Sequence, residues 1–136
     1  FSKETVKELD KIIKEAEMYD KIWDSLKEHL VHLESDLIIK DIKYLINGLE
    51  EGLNIKVTND VKMGMALHIC FMIDSLLAGE KTRIFDELDS FRKLYLNEML
   101  IVKEQFRFIN ENYKINIGDN EVAYIVRLFM ENNISV

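Results

Sequence analysis

The run Met63-Gly64-Met65-Ala66-Leu67-His68-Ile69-Cys70-Phe71-Met72-Ile73 decides how this chain folds. It carries no formal charge, and His68 is its one strongly polar side chain. The run is far shorter than the roughly 20 apolar residues a membrane-spanning helix needs. Apolar on nearly all sides, it reads instead as a helix at the centre of a bundle, where neighbours cover every face. The composition agrees. With no proline and 5 glycines in 136 residues, long helices are permitted and hairpin signals are scarce. The expected fold class is all-α.

Working outward, Thr58-Asn59-Asp60 offers side chains that cap a helix start, and Ala78-Gly79 offers a stop, so this helix is expected over about 60–77. Before it, Leu37, Ile38, Ile42, Leu45, Ile46 and Leu49 recur at helical spacing from Ser35-Asp36 until Gly52, which predicts a helix over about 36–51. Further upstream, Leu9, Ile12, Ala16, Tyr19, Trp23, Leu26, Leu30 and Leu33 alternate by threes and fours, a stripe that predicts a long amphipathic helix over about 3–33. It either packs on its own domain or forms a coiled-coil seam with a second chain. Downstream, Thr82 can cap a segment running from Ile84 to Tyr113, where a break near Asn97 would explain its widened apolar face. Gly118-Asp119 opens a last helix carrying Val122, Tyr124, Ile125, Leu128 and Phe129. No internal repeat is expected. Residues 1–35 read as a helical extension or linker and 36–136 as a helical bundle.

A formal charge of −7 argues against a non-specific grip on nucleic-acid phosphates or an anionic membrane. Nucleic acid would be reached only through other domains of a longer protein. Such a protein is expected, since the chain opens on Phe1 without a basic, apolar leader. The single cysteine, Cys70, forms no internal disulfide, and a reducing, cytoplasmic setting follows.

His68 shares its helical face with Val61, Gly64, Met65, Phe71, Met72 and Ser75. Read structurally, it is a buried histidine bonded to a carbonyl or carboxylate; read chemically, it is a nucleophile. Gly64, one turn below, costs about 1 kcal/mol relative to alanine in a helix, so the space it leaves is expected to serve a close helix crossing or an approaching partner. Ser75 is the nearest hydroxyl on that face. Cys70 points about 200° away from His68 and reads as core. His29 and His32 stand three apart but lack a third firm ligand, so no metal and no cofactor are expected. Asp119 and Glu121 flank a helix start, where capping and the helix dipole account for them. The methionines read as core filling. Without a glycine-rich phosphate cradle or a serine triad, a non-enzymatic role is expected.

The run Leu67–Ile73, with the preceding Gly52-Leu53-Asn54-Ile55-Lys56-Val57 turn, resembles the first histidine motif of the PTS regulation domain, the PRD. Asn112-Tyr113-Lys114-Ile115-Asn116-Ile117, followed by Asp119-Asn120-Glu121-Val122-Ala123-Tyr124-Ile125, is similar to that domain's closing segment. The resemblance covers about Asp36 to the end and implies a five-helix PRD-like bundle preceded by the long N-terminal helix. It implies a regulatory domain of a bacterial transcriptional regulator of sugar utilisation. The phosphotransferase system would phosphorylate His68, from the phosphocarrier HPr or a sugar-specific enzyme IIB, and so change homodimer packing. Leu128 stands where the family's second motif places a histidine, which leaves one acceptor. Leu67, where antiterminators carry an aspartate, is more like the sigma-54-dependent activator branch. Arg83, Arg92, Arg107 and Arg127 are the guanidinium groups available to answer a phosphoryl charge. The rival readings are a non-phosphorylated helical dimerisation or adaptor module and a histidine phosphotransfer domain. The latter's Leu-Lys-Gly pattern is replaced here by Ile69-Cys70-Phe71.

Overall fold

Apolar residues recurring every three or four positions coil into six helices in the computed structural model, which describes residues 2–26 and 35–135. They are α1 (Lys3–Leu26), α2 (Ser35–Leu53), α3 (Asn59–Leu77), α4 (Leu88–Leu94), α5 (Leu96–Tyr113) and α6 (Asp119–Glu131). Among the described residues there is no strand, and no helix is long and apolar enough to cross a membrane. One long N-terminal helix followed by five more is the architecture the sequence implied. The end of the expected first helix, with His29 and His32, lies outside the described residues.

α3 starts and stops where its punctuation says. Thr58 caps it, its hydroxyl accepting from the Val61 N–H, and Ala78 closes it just before Gly79 at φ +82°. Gly52, by contrast, is not the stop of α2. The helix runs through it to Leu53, and Asn54 turns the chain with φ 54°. Gly52 serves the crossing of α2 and α5 instead, because a Cβ there would stand 2.9 Å from Ile101 Cγ2. Gly48 does the same against the Gln105 side chain. The segment after α3 stays non-helical to Glu87, which takes φ 58°, so Thr82 lies in a loop and caps nothing. The expected break falls at Tyr95, between α4 and α5, two residues before Asn97. It leaves Leu94, Leu96 and Leu100 exposed.

No repeat is legible in the sequence, yet the structure contains one. The α2–α3 and α5–α6 turns are built alike, with residue 50 answering to residue 110. Asn54 and Lys114 both take left-handed φ, at 54° and 53°. The Ile55 N–H donates to the Glu50 carbonyl at 3.1 Å, and the Ile115 N–H to the Asn110 carbonyl at 3.2 Å. The Glu50 carboxylate accepts from the Val57 N–H at 3.2 Å, just as the Asn110 side-chain carbonyl accepts from Ile117 at 3.0 Å. In each turn a side-chain acceptor, buried at Glu50 and half-buried at Asn110, satisfies a turn N–H that no helix can reach. Side chains of different charge do the same job, which hides the repeat from sequence reading.

The two helical pairs meet where α2 packs on α5, around the fully buried Ile42, Ile46, Leu49, Val102, Phe106 and Ile109. α1 lies against α2 and α3. It buries Met18 and Tyr19 but leaves Val6, Leu9, Ile12 and Ile13 exposed, so the first half of its stripe is not covered by its own domain. Lys62, 6% exposed, bonds the equally buried Glu50 at 3.1 Å and reaches Glu15 of α1 at 3.7 Å. Burial, with the Glu15 and Glu50 carboxylates beside it, pushes the Tyr19 phenol well above its ordinary range.

Asp119 ties the second half together, accepting from Arg92 of α4 at 2.9 Å and Lys103 of α5 at 2.8 Å. The Lys103 hydrogen bond, aided by Arg92, holds its carboxyl below the usual range. A carboxyl depressed in the folded state stabilises above its unfolded pKa, and this is lost as pH falls through the folded value. Asp119→Asn should therefore cost about 0.5–1 kcal/mol at neutral pH. In urea unfolding followed by circular dichroism, the gap between variant and parent should close as pH drops below the ordinary aspartate range.

Candidate functional site

α3 turns Met65, Ala66, Ile69, Cys70 and Ile73 into the core, and the same register sets His68, Phe71 and Ser75 along its edge. The helix is therefore not covered on every side, as its apolar sequence implied. Phe71 is 44% exposed, and a Cβ on the exposed Gly64 would meet nothing within 4 Å. Among the described residues no helix crosses close at Gly64, so the close crossing expected there is not found. Cys70 faces inward, and burial pushes its thiol up to about 12, so it pairs with nothing at His68.

His68 is neither sealed in nor free. Its side chain is 21% exposed. It forms one wall of a cleft of about 300 Å³ with Phe71, Met72, Ser75 and Leu76 of α3, the loop residues Glu80, Lys81, Thr82 and Arg83, and Glu121 of α6. Nε2 stands 3.2 Å from Glu121 Oε2, and Nδ1 stands 3.2 Å from Arg83 Nη2. The ring also packs on Tyr124, with centroids 4.7 Å apart. Ser75 is thus brought to the same cleft as His68, whereas Gly64 lies outside its lining.

The loop that carries Arg83 is held by α6. The Phe85 N–H donates to Asn120 Oδ1 at 2.9 Å, and the Phe85 ring packs on Phe91 and under the Arg127 guanidinium. With Phe85 fixed, Arg83 lies over the Tyr124 ring at 4.5 Å, a cation–π contact that aims it at His68. Of the four arginines, Arg83 alone bonds His68. Arg127 faces the other rings, Arg92 pairs with Asp89 and Asp119, and Arg107 with Glu104 and Glu111 on its own helix.

Glu121 is the residue that sequence reasoning missed. It does not serve merely as an acid near a helix start, since it is 4% exposed and its carboxylate meets His68. A signal existed: Glu121, Tyr124, Ile125 and Leu128 share one face of α6, and an acid on an otherwise inward face needs a partner. Asp119 likewise caps nothing, because Gly118 is the N-cap and the Asp119 carboxylate is spent on Arg92 and Lys103. A larger hollow, about 610 Å³, lies at the other end of α3 against α1, lined by side chains of both charges and no histidine or cysteine. Among the described residues, no group of His, Cys, Asp and Glu could hold a metal ion.

Comparison with known proteins adds two findings. The sequence model described as "PRD domain" matches residues 43–132. The Transcriptional regulatory protein DagR of Salmonella typhimurium (strain 14028s / SGSC 2262) is 26% identical over 105 residues, which is 77% of this chain and 11% of DagR. No solved structure matches.

Because Asn120 supplies the acceptor for the Phe85 N–H, Asn120→Ala should cost about 1 kcal/mol. It should also free the loop over 80–87. Limited proteolysis should cut that loop several-fold faster in the variant, with helicity by circular dichroism unchanged.

Proposed function

The chain belongs to the PRD domain family, and from that premise we propose that it is a phosphorylation-controlled module of a bacterial transcriptional regulator, with His68 as the acceptor. That it is a PRD-type regulatory, non-catalytic domain related to such regulators follows from the family match and the relative. The observation that carries the finer reading is an imidazole at the wall of an open cleft, held between a carboxylate and a guanidinium.

Phosphoryl transfer asks for alignment and charge stabilisation more than covalent help. Arg83 and Lys81 line the cleft and supply positive charge, and the exposed Gly64 and Phe71 leave room for a docking carrier. The donor in this reading is HPr or a sugar-specific enzyme IIB, phosphohistidine or phosphocysteine carriers that work in the cytoplasm. Leu128 cannot accept a phosphoryl group, so the domain has one acceptor. Leu67 before His68 favours the sigma-54-dependent activator branch.

A phosphoryl group brings about −2 charge. Added to a ring held between Glu121 and Arg83, it breaks the balance of charge at that contact, and the packing of α3, the Arg83 loop and α6 has to rearrange. In a homodimer that rearrangement alters packing. The exposed residues Val6, Leu9, Ile12 and Ile13 of α1 supply an apolar surface for a second copy. The same stripe is what favours the second reading, a dimerisation or adaptor module in which His68 is never phosphorylated.

Incubation with enzyme I, HPr, the cognate enzyme IIB and labelled phosphoenolpyruvate should place label on His68, and His68→Ala should take none. No label from any donor favours the adaptor; label persisting in His68→Ala refutes the acceptor. Gly64→Leu should cut labelling at least tenfold while keeping full helicity, because its side chain fills space a carrier would occupy. In analytical ultracentrifugation, the phosphorylated chain should show a dimer dissociation constant shifted at least threefold from that of the unmodified chain, and no shift would remove the packing switch.

A further inference from the structure

We infer that Nδ1 of His68, and not Nε2, is the nitrogen that takes the phosphoryl group, and that the buried Glu121 is the positioning residue that dictates this. The inference rests on the reading of His68 as a phosphoacceptor. It concerns the regiochemistry of the site, which the identity of the donor does not determine.

The two neighbours of the ring are chemically opposite. A carboxylate only accepts hydrogen bonds, so Glu121 Oε2 at 3.2 Å requires a proton on Nε2. A guanidinium only donates, so Arg83 Nη2 at 3.2 Å requires a lone pair on Nδ1. Each contact alone selects one tautomer of the neutral ring, and both select the same one. The nucleophilic lone pair is therefore on Nδ1.

Access and charge point the same way. Nε2 looks at a carboxylate that is 4% exposed, where a dianion would meet a like charge at hydrogen-bond distance. Nδ1 looks at Arg83, an exposed side chain in a cleft that also contains Lys81. Arg83 can give up the lone pair and take the phosphoryl oxygens with a small swing over Tyr124. The internal repeat adds an independent observation. With residue 50 answering to 110, His68 answers to Leu128 and Glu121 to Val61. Both members of the polar pair occur at one place in the fold, and both are apolar at the other. A histidine that needed only burial would not require its carboxylate to come and go with it.

With a protonated phosphohistidine as donor, the step balances. The Nδ1 lone pair forms a bond to phosphorus while the donor's N–P bond breaks. That electron pair returns to the donor imidazole, which keeps its other proton and leaves neutral. His68 retains its Nε2 proton, so its ring becomes the cation, and Glu121 is its counter-ion.

The test uses the full chain labelled with [15N]histidine and potassium phosphoramidate, a small donor that needs no carrier, with His68→Asn to assign the signals. Long-range 1H–15N correlations should show Nε2–H in the unmodified ring and an Nδ1–P bond in the product, with the Nε2 adduct under one tenth of the total. Glu121→Val, which installs the residue found at the corresponding place in the repeat, should raise the Nε2 adduct at least fivefold. Glu121→Gln keeps an acceptor oxygen and should preserve Nδ1 selectivity, which a purely structural role for Glu121 would not separate from the valine result. An Nε2 adduct as the main wild-type product, an Nδ1–H tautomer in the unmodified ring, or no reaction at His68 overturns the inference. Nδ1 labelling by phosphoramidate with none from any phosphotransferase carrier would instead uphold it and defeat the proposed function.

Discussion

A carboxylate taken out of water has to find a donor, and Glu121 finds His68. Much about this domain follows from that contact. The backbones of α3 and α6 do not run close over any length; side chains bridge them, and the His68–Glu121 bond with the Tyr124 ring is the polar part of the bridge. Burial makes the bond worth keeping, since removing one partner would leave the other unsatisfied at a cost of about 1–3 kcal/mol. It also makes the bond vulnerable, because whatever changes the charge on His68 acts on a carboxylate that water cannot screen. A solvent-exposed pair would absorb the same change with little consequence.

The two halves of the bundle touch in two ways of different character. The α2–α5 crossing is close and largely apolar, made possible by Gly48 and Gly52 against Gln105 and Ile101, with a hydrogen bond from Tyr113 to Asp41 across it. The α3–α6 bridge is polar, open on one side and reachable from solvent through the cleft. A close-packed crossing is fixed by shape, and small shifts there are resisted by every neighbour. The polar bridge is fixed by a proton and two charges. The fold thus concentrates rigidity at one junction and chemical sensitivity at the other, and the repeat shows that this asymmetry is specific to one side. At the place equivalent to His68 and Glu121 stand Leu128 and Val61, side chains with no charge to change.

Most of the helices were legible because apolar periodicity and end signals agree: Thr58 and Ala78-Gly79 bound α3, and Gly118 opens α6. What misled was residue type read without its neighbours. Gly52 resembles a stop until α5 is seen to need its missing side chain, and Asn54 turns the chain instead. The apolar run of α3 implied full enclosure, but Phe71 and Gly64 lie on an uncovered face, since one run of sequence does not record how many neighbours surround it. His68 was legible as the singular residue of its helix. Its partners were not, because Glu121 lies 53 residues away and Arg83 arrives on a loop whose course is set by contacts with distant residues, the Asn120 hydrogen bond and the ring of Phe91 among them. The repeat was hidden for a related reason: a carboxylate at Glu50 and an amide at Asn110 offer the same acceptor oxygen to the same turn.

The other end of α3 is tied to α1. Lys62 precedes His68 by six residues on α3, about 9 Å along a helix rising 1.5 Å per residue. It bonds Glu50 at 3.1 Å in its own half and reaches Glu15 of α1 at the longer 3.7 Å. α3 is therefore held at one end to α1 and α2 by a buried lysine, and further along to α6 by a histidine. The bond to Glu50 is short, buried and backed by the Val57 N–H. The Glu15 contact is longer and its carboxylate is 20% exposed, so it is the weaker of the two ties, since water screens a charge pair that it can reach. The helix on the far side of that weaker tie is α1, whose Val6, Leu9, Ile12 and Ile13 stay exposed.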